Sequence, residues 1–141
     1  MTEQFSQEYI AYILSDEAKV LQKLWVPAAG DWILLTHRGE QEVNCLGTMD
    51  DRKDWAEWAR EALKYRDMTW LPTLFQLIGV IEGRWPRVEM GSYLLDGVRH
   101  HWMRGLEMPP KTSVGRPIVR ETDIMLAAAQ LAVRAVEGEA R

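Results

Sequence analysis

The chain has 141 residues, 47% of them hydrophobic and 27% charged, which suits one folded domain with a real core and excludes a disordered or low-complexity protein. Its 17 Lys and Arg are scattered among 21 Asp and Glu, for a net charge of −4, so the basic stripe that a phosphate backbone demands is missing. No run approaches the ~20 apolar residues of a membrane helix, and the N-terminal stretch MTEQFSQEYIAYILSDEAK lacks a basic n-region, so a cytoplasmic location is expected, with no membrane association and no signal peptide.

In chain order, Ser6 can cap a helix over residues 6 to 24, whose face is Ile10, Ile13, Leu14, Leu21 and Leu24. Glu17 interrupts that face, and Ser15-Asp16 could cap a second, shorter helix, so one kinked helix and two short ones both fit. Pro27 and Gly30 stop the helix, and Trp32-Ile33-Leu34-Leu35-Thr36-His37 reads as a strand. Arg38-Gly39-Glu40 turns the chain, and Glu42 to Leu46 returns as the second arm of a hairpin. The single Cys45 on that arm has no disulfide partner within the chain and reads as a small buried hydrophobe.

Thr48-Met49-Asp50-Asp51 has the form of a helix start with acidic residues at the positive end of the dipole. The helix that follows, over 51 to 65, carries Trp55 and Trp58 on a narrow stripe with Ala59 and Ala62, among charges on every other side. Asp54 and Glu57 take solvent-facing places on it. A further helix is expected from the WLP at 70–72, with Pro72 in its first turn and Leu74, Leu77, Ile78 and Ile81 as its apolar face. Trp85-Pro86 restarts an extended chain in which Val88 and Met90 alternate with Arg87 and Glu89.

Residues 92 to 106 admit two readings. Leu94, Val98, His101 or Trp102 and Leu106 fit helical spacing, whereas Asp96-Gly97 is a hairpin turn signal after which Val98, His100 and Trp102 alternate. Two interior glycines favour strands. A loop, MPPKTSVGRP, then leads to a closing helix from Thr122 to about Glu137, rich in alanine and stopped by Gly138. The order of elements predicts a single α+β domain over 1–141, with a small, mostly antiparallel sheet of about four strands in two hairpins covered by three to four helices.

The stretch from Arg116 to Ala129, RPIVRETDIMLAAA, preceded by His101-Trp102-Met103-Arg104-Gly105, resembles the end of small phage- or prophage-type α-β-α sandwich proteins of bacteria. The elements WVPAAGDW and TWLPTLFQLI carry the same likeness, while the helix over 51–65 departs from it. The resemblance implies a fold and supplies no catalytic residues, because that family has no established activity.

Candidate chemistry is sparse. His100 and His101 are adjacent, and neighbours on a strand or a helix diverge, so a metal site would need His37 or Cys45 from the first hairpin; no metal and no cofactor is expected. Ser92 lies in GSY, short of a nucleophile elbow, and no phosphate loop or dinucleotide fingerprint is present. Trp25, Trp32 and Trp70, at element boundaries beside prolines, read as structural anchors, with Trp25 and Trp32 expected to be largely buried, whereas Trp55 and Trp58 offer the best partner-binding surface. These features predict a non-enzymatic phage- or prophage-type protein that acts through contacts with a protein partner or as a homodimer. One alternative is a small-molecule or metal-dependent enzyme using His37, His100 and His101. A second is weak nucleic-acid binding through residues 99–104, with His100, Trp102 and Arg104, joined by Arg99, as possible ligand-binding residues if they share an exposed face.

Overall fold

The computed structural model describes residues 5–28, 30–37, 39–45, 68–106 and 118–137, apart from the side chain of His37. The expected helix over 51–65, with Trp55 and Trp58, lies outside the described residues. The fold is α+β, with all strand pairing antiparallel. Among the described residues six strands form two three-stranded sheets, where the sequence suggests about four in one small sheet. The chain divides into two compact units, Met1–Leu21 with Thr73–Arg141 and Gln22–Pro72.

The N-terminal stretch takes the two-helix option. Gln7–Ile13 (α1) begins at Ser6, whose hydroxyl accepts from the Tyr9 amide, and Lys19–Gln22 (α2) follows after a break at 14–18. Further along, Leu74–Glu82 (α3) starts two residues later than a helix led by Pro72 would. Thr73 is the N-cap, and Thr73 and Gln76 exchange bonds as a capping box, which leaves Pro72 outside the helix. Arg87–Leu95 (β4) and Val98–Leu106 (β5) then form an unbroken antiparallel hairpin, so the strand reading of 92–106 holds. Asp96 and Gly97 close it with φ of 52° and 78°, the left-handed values that a two-residue hairpin turn requires.

Ile118–Glu121 (β6) pairs with the far end of β5, giving the order β4-β5-β6, and Ile124–Glu137 (α4) closes the unit. Helix α4 packs on β5 and β6 with α3 and α1 beside it. Three successive alanines at 127–129 are fully buried and let the neighbouring elements approach closely. Trp85 is the largest side chain in this interior. Its ring lies against Gly105 of β5, so close that a Cβ there would stand 2.4 Å from the indole carbons.

The second unit is built around Trp32–His37 (β1), flanked by Glu40–Cys45 (β2) and Met68–Trp70 (β3). The hairpin β1–β2 follows the sequence pattern. β3 is the unexpected strand: Trp70 pairs with Ile33, and the Leu71 amide donates to the Trp32 carbonyl at 2.9 Å. The two tryptophan-proline stretches therefore converge. Trp25 stacks on Trp70 at 6.3 Å and 5°, and the Gln22 amide group both donates to and accepts from the Trp70 backbone. Asp31, itself buried, accepts from the Trp25 indole at 2.8 Å and from the Ala28 amide at 3.0 Å, which fastens the turn before β1.

Two expectations about burial meet different outcomes. Trp25 and Trp32 are each partly buried and short of full enclosure, whereas the third expected anchor, Trp70, and with it Trp85, are shut into the interior. Cys45 is exposed, because β2 is the outer strand of its sheet and most of its residues face solvent.

Candidate functional site

Strand β5 carries most of the residues that the sequence singles out. Successive side chains on a strand point to opposite faces, and here the two histidines meet different surroundings. His100 stacks on Tyr93 of β4 at 5.3 Å with 12° between the rings. His101 faces the helices, where it lines a depression of about 610 Å³ with Ser6, Glu8 and Thr122 to Met125. His37 belongs to β1 of the other unit. Among the described residues no three His, Cys, Asp or Glu are grouped as metal ligands.

The depression holds a serine, a histidine and an aspartate, the residue types of a nucleophilic triad, but not in its order. Ser6 Oγ donates to Asp123 Oδ2, and the Tyr9 amide donates to the same hydroxyl at 3.1 Å. Asp123 Oδ1 accepts from the Met125 amide at 2.9 Å. A triad needs the serine bonded to an imidazole that would take its proton, whereas here serine and aspartate cap two helices and tie their starts together. Burial first, and the negative Asp123 second, hold the Tyr9 hydroxyl above the ordinary tyrosine range. This cluster is a structural clasp.

The sheet face away from Met103 brings together His100, Trp102 and Arg104, as their alternate positions require. Arg99 falls on the opposite face and donates to Ser92 Oγ at 2.9 Å. Trp102 lies over Gly91, where a Cβ would stand 2.7 Å from the indole ring, and the Arg104 guanidinium sits 5.4 Å from the Trp102 ring centre. Arg104 is committed to Glu89, with Nη2 and Nε at 2.8 and 2.9 Å from Oε1, and Arg87 approaches the same carboxylate at 3.6 Å. Aromatic and basic groups do interleave on one face, but a central carboxylate already engages two of the guanidinium groups.

Beyond that face the hairpin outruns its sheet. β6 pairs only with His101 to Arg104, whereas the β4–β5 pairing runs on to Leu95 and Val98, so the hairpin continues past the third strand as a two-stranded ribbon. Its end is apolar and exposed: Leu94 at 63%, Leu95 at 54%, Val98 at 49% and Tyr93 at 38%. Leu94 and Leu95 are consecutive and so project from both faces of the ribbon. The legible signal is this pair of leucines beside a DG turn, where alternation would place a polar residue. The arrangement offers an apolar contact surface at the end of a paired hairpin. No helix among the described residues is long and apolar enough to cross a membrane. No protein-family model, curated protein or solved structure matches the chain.

Proposed function

We propose that this protein is non-enzymatic and acts by contacting another protein through the end of the β4–β5 ribbon, in the phage or prophage setting that its sequence likeness suggests. The observation that carries the reading is the exposed apolar cluster Tyr93, Leu94, Leu95 and Val98 on a hairpin that outruns its sheet. Folding leaves single apolar side chains at a surface routinely, but four together at one projecting end cost solubility unless something covers them. The nucleic-acid reading draws less support, since Arg87 and Arg104 are turned onto Glu89 and the chain is acidic overall.

Site-specific photocrosslinking in the source cell tests the proposal. A benzophenone side chain at Leu95 is expected to give one discrete protein adduct, which the added change Val98→Asp abolishes while the thermal midpoint stays unchanged. The same probe at the exposed Glu82 on α3 serves as control. No adduct at Leu95, or the same adduct from both positions, would sink the proposal.

A further inference from the structure

Strand β4 is an edge of its sheet among the described residues, and it is an unusually unguarded one. Natural edge strands are kept from pairing by brevity, by a bulge, by proline or by a charge in mid-strand. β4 has none of these. Its nine residues span roughly 30 Å. Its register with β5 runs unbroken from Arg87 to Leu95, and from Met90 to Leu95 it is uncharged and free of proline. Two of those residues, Met90 at 45% exposure and Leu94 at 63%, flank Ser92 on one face.

The turn fixes which backbone groups are free. In a two-residue hairpin the residues that close the turn, here Leu95 and Val98, exchange hydrogen bonds across it, and bonded pairs then recur at every second residue. Tyr93, Gly91 and Glu89 are therefore bonded to β5, while the amides and carbonyls of Leu94, Ser92 and Met90 point outward along the edge.

We infer that β4 pairs antiparallel with β4 of a second copy of this chain, about a two-fold axis at Ser92, to join two sheets into one of six strands. The inference rests on the protein-contact reading above and names the partner. The strand is complementary to itself in this register. The outward backbone groups of Ser92 meet those of Ser92 in the other copy, and those of Met90 meet Leu94, so that the two exposed apolar side chains cover each other. Charges are compatible as well: Arg87 and Glu89 lie at one end of β4, so the two-fold carries them to opposite ends of the pair, with Glu89 beside Leu95 of the other copy. A stable interface covers roughly 800 Å² per partner, and a nine-residue edge with its apolar side chains lies at or below that size. The dimer should accordingly be a weak one, with dissociation in the micromolar range.

Sedimentation velocity of the full chain over a concentration series tests this. The wild type is expected to move from monomer to dimer, with a doubling of weight-average mass. Ser92→Pro removes an outward amide, which an edge strand tolerates, together with the exposed hydroxyl that accepts from Arg99, and should remain monomeric at every concentration with an unchanged far-ultraviolet spectrum. Because a proline can still perturb the strand, Met90→Lys supplies a second, milder block and should weaken the dimer in the same direction. Exchange rates of the Met90, Ser92 and Leu94 amides give an independent readout, slowing as wild-type concentration rises. A wild type that stays monomeric, or a dimer that survives both substitutions, overturns the inference. If the Leu95 photoadduct then contains a different protein, the contact reading stands without self-pairing; if no adduct forms at all, both fail.

Discussion

Gly105→Ala isolates the packing of the first unit in one methyl group. An alanine in a strand gains about 0.5 to 1 kcal/mol over glycine from backbone entropy, so on propensity alone the substitution would stabilise. Sterics oppose it. The added Cβ would stand 2.4 Å from Cδ2 and Cε3 of Trp85, whereas carbon atoms in contact prefer about 3.5 to 4 Å, so the ring must retreat by about 1 Å. Trp85 is only 2% exposed, its amide is bonded to the Ile81 carbonyl, and the Arg84 guanidinium covers the ring at 5.3 Å, so the indole has no free direction in which to move. Overpacking of this kind costs about 1 to 3 kcal/mol, and a forced rotamer adds about 0.5 to 1.5. The net expectation is a loss of about 1 to 3 kcal/mol after the entropic gain is subtracted. Urea unfolding of wild type, Gly105→Ala, Trp85→Ala and the double variant measures it as a cycle. Trp85→Ala alone should cost about 3 to 5 kcal/mol, and in its background the Gly105→Ala change should no longer be penalised. A Gly105→Ala variant as stable as wild type, or an equal penalty in both backgrounds, would refute the close-contact argument.

In the second unit, Asp31→Ala strands the Trp25 indole and the Ala28 amide that share its carboxylate. It should cost about 1.5 to 3 kcal/mol in urea unfolding, the range for hydrogen bonds to a charged group, with a changed Trp25 fluorescence in the folded state. The raised pKa of Tyr9 gives a pH dependence. Its neutral form is favoured in the folded state, so this contribution is complete below the unfolded tyrosine value of about 10 and is lost as pH rises above it. Stability should therefore fall at alkaline pH, and Tyr9→Phe should flatten the decline, leaving the share due to Tyr12, whose hydroxyl is raised by burial and by its bond to Glu17. An equally steep decline in Tyr9→Phe would assign the alkaline loss elsewhere.

Features set by neighbours in sequence were legible; those set by distant partners were not. Asp96-Gly97 announces a two-residue turn because both positions need left-handed backbone, and the hairpin follows from it. Ser6 and the alanine-rich run from 127 mark helices through local capping and packing rules. β3 is different: three residues ahead of a proline have no periodicity to read, and they form a strand only because Ile33 and Trp32 offer a ladder from far back in the chain. The tryptophans divide in the same way. Trp85 is enclosed because Gly105, far along the chain on β5, makes room for its ring, and no local pattern reveals that pairing. For the site, alternation correctly places His100, Trp102 and Arg104 on one face and separates His101 and Arg99 from them. The projecting ribbon stayed hidden because its length is a difference between two pairings, β4 with β5 and β5 with β6.

The claim that the β4–β5 ribbon is the contact surface is tested most directly by a hydrogen-exchange footprint of the full chain, taken dilute, concentrated and in extract of the source cell. Protection gained in the associated state is expected to be confined to residues 90 to 98, with the amides beneath α4 unchanged. Protection that appears on another element while this segment exchanges as freely as in the dilute protein would contradict it.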